Sequence, residues 1–360
     1  MNNKQKGEGG RTMRMLKTVI GVVCAAAAIV ALMGAPVMAG EAPIVIKLGH
    51  GDTEDNSLGG VHNGAVAFKQ LVESRTAGRV KVEIHPNNQI GSPREMFEST
   101  KMGSIQMVWE GSSNFAGFLP EFMVFSMPYI FPNVTVALRV LDGQFGNDLS
   151  ALSVKKTGVR LLAYTQIGWR NFTNNKRVIR TPADIKGLKM RTQEDPAMMK
   201  IVQSMGGSAT PIAWGELYTA LQQGVVDGEE NPTSMVQVAK LYEVQKYMTM
   251  DGHILAINPI CINEKFYQSL PADIRYIIKD SAHTAALIYN GVGQWGATLD
   301  VADLTKKGMQ IYFPTDAEYQ QFVKAAQGPV QEFVVSKIGK EWPEKLLKAI
   351  AAETEKYKKD

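Results

Sequence analysis

Three runs decide the fold: I-V-I-K-L-G-H-G at residues 44–51, V-H-N-G-A-V-A-F-K-Q-L-V at 61–72 and V-K-V-E-I at 80–84. In the first, Ile44, Ile46 and Leu48 alternate with polar neighbours and run into Gly49, His50 and Gly51, the pattern of a strand ending in a loop. In the second, Val61, Ala65, Phe68, Leu71 and Val72 fall at helical spacing, and Ala77, Gly78 and Arg79 close the helix. The third, with Val80, Val82 and Ile84, alternates again. Strand, helix, strand is the unit of a parallel sheet covered by helices, so the chain is of the α/β class.

The pattern continues outward from there. Pro86 to Gly91 is turn-rich, Pro93 opens a helix through Met96, Phe97 and Met102, and Gly103 stops it before a strand from Ile105 to Trp109. That strand runs into Glu110, Gly111, Ser112 and Ser113. Crevices in open α/β sheets lie beyond the carboxyl ends of strands, which makes His50, Asp52, Glu110, Ser112 and Asn114 candidate pocket residues; each would serve equally as a plain loop former. A strand from Val159 to Tyr164 leads into G-W-R-N-F-T-N at 168–174, where Arg170 sits between Trp169 and Phe172 on a segment suited to crossing between lobes. An arginine in that setting either has an internal acidic partner or awaits an anion.

Farther along, Pro182 starts a short helical turn, Gly187 ends it, and Leu188 to Arg191 reads as a strand whose last residue points into a cleft. Trp214 precedes a helix from Glu216 to Gln223. Gly224 ends that helix, Val225 and Val226 read as a short strand, and Asp227 with Gly228 as a turn. The trio Asp227, Glu229 and Glu230 lacks the alternating oxygen ligands of a calcium loop, so no metal and no cofactor is expected. Asn231, before Pro232, is a turn residue or an amide offered to a ligand. Ile254 to Ile262 is strand-like, Pro271 to about Lys306 is one long helix, and Asp316 to Lys358 forms two amphipathic helices expected to cap the second lobe.

The N-terminus has its own signature. Arg11, Arg14 and Lys17 precede an apolar run from Thr18 to Met33, followed by the small residues Ala35, Val37 and Ala39, which is a secretory signal peptide with cleavage expected after Ala39. The run is 16 residues long, short of the roughly 20 that span a bilayer. The chain holds 39 basic and 35 acidic residues, of which five and one lie in residues 1–39, leaving 34 of each. A near-neutral secreted protein has no electrostatic case for nucleic-acid or anionic-membrane binding. Only Cys261 remains after cleavage, so stability must come from a core and not from a disulfide. Some 320 remaining residues exceed the ~250–300 at which single cores stop growing, and two lobes follow.

Four segments resemble the solute-binding proteins of tripartite ATP-independent periplasmic (TRAP) transporters, of the C4-dicarboxylate-binding type. They are P-N-N-Q-I-G-S-P-R-E-M at 86–96, L-P-E-F-M-V-F-S-M-P-Y-I-F at 119–131, D-I-K-G-L-K-M-R at 184–191 and W-G-E-L-Y-T-A-L-Q-Q-G-V-V-D-G-E-E-N-P at 214–232. The likeness runs from about Ile44 to the C-terminus. It implies a two-lobed periplasmic binding protein fold, each lobe a β-sheet flanked by helices, with a long helix along both. The expected division is residues 1–39 as signal peptide, 40–167 with 257–297 as the first lobe, and 168–256 with 298–360 as the second.

The resemblance also implies roles. Arg191 would hold a ligand carboxylate in a two-pronged ion pair, a task that suits a planar guanidinium that stays charged when water is excluded. Trp214 would cover the carbon skeleton, and Asn231 and Arg170 would add polar contacts. Sialic-acid binders of the family carry an arginine where Asn114 stands and an asparagine where Glu194 stands, which argues against sialic acid. E-N-P at 230–232 is more usual among C4-dicarboxylate and related groups than among uronate binders. Glu110 or Glu194, if facing the pocket, would repel a second carboxylate and favour a monocarboxylate bearing hydroxyls or an amine.

The expected function is therefore capture of a small organic acid by a periplasmic monomer, and its delivery to the membrane subunits of a TRAP permease. A sensor subunit for a membrane receptor kinase would use the same binding chemistry. A periplasmic hydrolase is the other alternative, but no G-x-S-x-G elbow or H-E-x-x-H helix is present, and His50, His62, His85, His253 and His283 are scattered. No enzyme is expected.

Overall fold

A computed structural model describes residues 42–54 and 60–359; the leader and its cleavage site lie outside the described residues. The first runs form the elements their patterns predict. Strand β1 (Ile44–Gly49), helix α1 (Val61–Arg75) and strand β2 (Val80–His85) make the opening unit, with β1 and β2 parallel from Ile44 opposite Val80 to Gly49 opposite His85. Helix α2 (Pro93–Met102) is set by its own ends. Ser92 and Glu95 form a reciprocal capping box, Pro93 occupies the first turn and Gly103 closes the helix at φ 82°. Strand β3 (Met107–Trp109) then pairs with β1 and delivers Glu110 to its carboxyl end.

Two long strands cross the molecule. β4 (Val159–Asn174) and β8 (Tyr247–Asn263) run antiparallel along nearly their whole length. Between them in sequence lie β5 (Lys189–Thr192), β6 (Ser208–Pro211) and β7 (Gly228–Asn231). The hydrogen-bonded order is β2-β1-β3-β8-β4-β7-β5-β6, with β9 (Gln310–Tyr312) beside the other end of β8. The result is a two-lobed periplasmic-binding-protein fold whose lobes share a sheet through β4 and β8. Both strands exceed the lengths their hydrophobic runs predict, because register shifts at Leu161/Ala163, Gln166/Gly168 and Arg170/Phe172 interrupt the alternation. Gly168, at φ 122°, is one such point, and it disguises a crossing strand as a loop.

The segment 225–231 differs from its reading. Val225 and Val226 are not a strand; the Val225 amide closes the preceding helix on the Ala220 carbonyl at 3.0 Å. The strand is G-E-E-N, residues whose propensity is for turns. Tertiary contacts override that propensity, since each carboxylate meets a buried partner from β4 or β8. Gly228 is required there, because a Cβ would stand 2.1 Å from the Thr173 carbonyl oxygen of β4.

Helices bind the lobes together. Helices α3 (Val134–Asp142), α4 (Gln144–Thr157), α5 (Pro196–Ser204), α6 (Leu217–Gln222), α7 (Thr233–Val238) and α8 (Glu264–Ser269) are short. Helix α9 (Ala272–Lys306) has 35 residues and so is roughly 50 Å long. It packs on α1 in one lobe, on β4, and on α7 in the other. Its Asn290 accepts the Gln166 amide at 2.9 Å, satisfying the backbone where β4 is irregular. Helix α10 (Asp316–Ile338) packs on α5. Helix α11 (Glu341–Tyr357) instead packs on α3, with Trp342 edge-on to Phe145 at 5.8 Å. The stripe Trp342, Leu346 and Ile350 finds its apolar partners on that side.

Candidate ligand-binding site

Where β4 and β8 pass between the lobes, a polar cavity opens beside Trp214. Its cavity volume is ≈ 40 Å³, within ≈ 460 Å³ of atom-free space that is partly continuous with solvent. One wall is acidic. Glu110 at the end of β3 accepts from the Gly51 and Gly111 amides, and Asp52 accepts the Val61 amide at 2.7 Å. Burial, reinforced by the Asp52 charge, pushes the Glu110 carboxyl up to about 8.

The lining also holds one basic group. Arg170, 3 % exposed, lines the cavity and is gripped by Glu230: Nε and Nη2 reach its carboxylate, and Nη2 also reaches its carbonyl. Behind Glu230 the chain of charges continues. His253 Nε2 stands 3.3 Å from Glu230 and Nδ1 stands 2.8 Å from Asp251, which also accepts the Tyr129 hydroxyl at 3.1 Å. Burial alone would lower the His253 pKa, but Asp251 and Glu230 outweigh it and hold the imidazolium up to about 9. Glu229 accepts from Thr173 at 2.6 Å and from the Asn231 amide, yet burial still raises it to about 6.

Arg191 at β5 is 1 % exposed and differs in kind from Arg170. Among the described residues its guanidinium makes one hydrogen bond, from Nε to the Ile212 carbonyl at 2.8 Å, and the buried Nη1 has no partner. Burial, offset by Glu230 and then deepened by the like charge of Arg170, lowers its pKa to about 10, so the group remains a cation at neutral pH. A buried charge with no carboxylate in hydrogen-bond contact is costly.

The structure gathers some of the expected residues and sets others aside. Glu110, Asn114, Arg170, Trp214 and Asn231 line the cavity. Arg191 stands behind that wall, near enough to Arg170 to feel its charge. Glu194 is exposed and Ser112 is buried off the cavity, its neighbour Ser113 taking the wall position. His50 faces His62, Nε2 to Nδ1 at 3.2 Å, and burial followed by that neighbour lowers its pKa to about 3. Gln193 and Asn258 complete the wall and carry no local signal, since only strand ends and register bring them in. Gln193 accepts the Ser113 hydroxyl at 2.8 Å and donates to Asn114 at 3.3 Å, tying β5 to the loop after β3.

The raised Glu110 pKa has a consequence for stability. Its folded pKa lies above the unfolded value, so the stability associated with the protonated form is complete below about 4.5 and is lost as pH rises toward about 8. Glu110→Gln should flatten the fall in melting temperature across that window, where the wild type loses roughly 1.4 kcal/mol for each step of one in pH. Parallel melting curves from pH 5 to pH 9 decide it: curves of equal slope for both proteins would show that Glu110 does not titrate in this way.

A polar, charge-lined cavity between two lobes joined by crossing strands defines a protein that encloses a small polar solute. Residues 52–337 match the family described as bacterial extracellular solute-binding protein, family 7, and the chain belongs to that family of TRAP-type solute-binding proteins. It is a transport component and not an enzyme. A solute-binding protein of Verminephrobacter eiseniae is 35% identical over 290 residues, 80% of this chain and 85% of that one. The C4-dicarboxylate-binding periplasmic protein of Rhodobacter capsulatus is 30% identical over 329 residues, 91% of this chain and 96% of that one. Among solved structures, the sugar-acid-binding protein of Advenella mimigardefordensis in complex with galactonate superposes with TM-score 0.82 at 29% identity, covering 86% of this chain and 99% of that one. No helix among the described residues is long and apolar enough to cross a membrane.

Proposed function

We propose that this protein captures a small organic acid in the inter-lobe cavity, with the carboxylate received by Arg191, and hands it to a TRAP membrane permease after export and cleavage behind Ala39. The observation that carries the reading is the buried Arg191 guanidinium with its unpartnered Nη1, which stands behind the cavity wall and is reached through it. Arg170, already neutralised by Glu230, supplies orientation and local potential. Trp214 and Asn231 are within the cavity wall and are suited to the carbon chain and to a ligand oxygen. Relatives that bind a C4-dicarboxylate and galactonate agree with a carboxylate ligand.

In this reading the lobes are residues 40–167 with 257–297, and 168–256 with 298–360, and they hinge where β4 and β8 cross. A ligand touching both lobes binds the closed form better and so favours closure. One charged hydrogen bond contributes roughly 1.5–3 kcal/mol, whereas a micromolar complex needs about 8, so the closed cleft must supply the rest.

Gln193 holds that closed form. Gln193→Ala removes both hydrogen bonds to the loop after β3 and should speed ligand release roughly tenfold, the equivalent of about 1.4 kcal/mol. Release followed by displacement of a fluorescence change at Trp214 measures it, and an unchanged rate would remove Gln193 from the latch. The founding test of the function is a thermal-shift screen of the mature protein against an organic-acid library, in which stabilisation by no acid would overturn the proposal.

A further inference from the structure

The outer face of α9 is apolar where the face of a solvated helix ordinarily carries charge. From Ser281 to Leu299 the helix contains no Asp, Glu, Lys or Arg. Ten large apolar side chains are exposed among the described residues, and five of them lie on α9: Tyr276, Leu287, Ile288, Trp295 and Leu299. Leu287, Gly291, Trp295 and Leu299 recur every four residues, with Ile288 one step beside them, so they share one side of the helix. Trp295 is 59 % exposed and Leu287 56 %. With Ile288 and Leu299 they present on the order of 400 Å² of apolar surface, the size at which a patch marks a contact site. Gly291, also exposed, stands in the middle of the patch. A Cβ there would meet no atom within 4 Å, so nothing inside the molecule requires glycine, although a mid-helix glycine weakens the helix relative to alanine. The missing side chain faces outward, where it lets a second backbone come close.

We propose that this face is the interface of a homodimer, with α9 of one protomer crossing α9 of its partner antiparallel at Gly291, in place of the monomer expected from the sequence. A twofold axis at that glycine sets Trp295 of one protomer over the partner's Leu287 and the partner's Ile288, and repeats the contact on the other side of the axis. The bulky ring then meets two smaller side chains across the gap that Gly291 leaves, and not a second ring. A face without charge gives a partner of either sign nothing to match, whereas it is complementary to its own copy. The two patches together amount to about 800 Å², and the exposed Gln294 and Thr298 beside them bring the buried area towards the ~1,200 Å² at the lower end of stable interfaces. The association is therefore reversible and of micromolar strength.

Sedimentation velocity of the ligand-free mature protein, from about 1 to about 200 µM, brackets a micromolar equilibrium and tests it. The expected result is a concentration-dependent shift from monomer to dimer mass. Trp295→Lys puts a charge into the contact and should leave the protein monomeric throughout, with an unchanged melting temperature. Gly291→Ala separates the interface from the fold. It removes a helix-weakening glycine and should raise the melting temperature, yet its methyl group stands at the closest approach of the two helices and should weaken association tenfold or more. A wild type that stays monomeric over the whole range overturns the proposal, as does a dimer that survives Trp295→Lys or is untouched by Gly291→Ala. A monomer that instead floats with phosphatidylglycerol vesicles, and no longer does so with Trp295→Lys, would assign the face to a lipid surface and overturn the dimer equally.

Discussion

Arg191→Met is expected to abolish the thermal shift given by the cognate acid while leaving the unliganded protein as stable as the wild type or more so. The two halves of that expectation share one cause. In the free protein the guanidinium is fully buried with an empty Nη1 and no carboxylate of its own, and burying a cation that way costs several kcal/mol. Methionine fills much of the same volume without the charge. A gain of ~1–2 kcal/mol in the free state would raise the melting temperature by a few degrees. Binding loses the two-pronged ion pair, ~3 kcal/mol or more and hence at least a hundredfold in affinity. Differential scanning calorimetry with and without ligand measures both. A variant that melts far below the wild type would make Arg191 a structural residue, and one that keeps its ligand shift would remove it from the site.

Glu230→Gln should act in the opposite way, lowering stability strongly and sparing capture of the anion. Glu230 is the only carboxylate that touches both Arg170 and His253 among the described residues, and both are buried. Removing its charge leaves a guanidinium uncompensated, which costs roughly 3–5 kcal/mol. The pH profile adds a second signature. His253 has a folded pKa raised to about 9, so the stability it contributes is complete below about 6.5 and is lost as pH rises through 9. With Glu230 neutral, Asp251 alone supports the imidazolium and the alkaline loss should begin at lower pH. Arg170, released from its partner at the cavity wall, should leave carboxylate affinity equal or higher. Melting curves between pH 6 and pH 10 test the first claim and titration tests the second. A variant with wild-type stability and an unmoved alkaline limb would show that the buried ionic chain does not hold the crossing strands.

Several elements are legible in the sequence because their causes are local. The capping box of Ser92 and Glu95, the proline at 93 and the glycine at 103 specify α2 within about a dozen residues. The apolar spacing along α1 and α9 specifies which faces are buried. G-E-E-N is not legible as a strand, because what permits two glutamates in a sheet interior is Thr173, Arg170 and His253, all distant in sequence. The wall residues Gln193 and Asn258 escape a sequence reading for the same reason, and His50 lies off the cavity against His62 because a loop position beyond a strand says nothing about which way the ring turns.

The amino-acid order by itself determined the leader pattern, the α/β succession, the long helix and the motif that carries Arg191, since periodicity, capping and composition act over a few neighbouring residues. Only the tertiary structure decided which of the two arginines is spent and which is open. That choice depends on the register that sets Phe172 opposite Glu230 across β4 and β7, and so brings a carboxylate 60 residues away to Arg170, while no carboxylate among the described residues bonds to Arg191. Charge compensation in a protein interior is a contact between distant parts of the chain, and no local pattern encodes it.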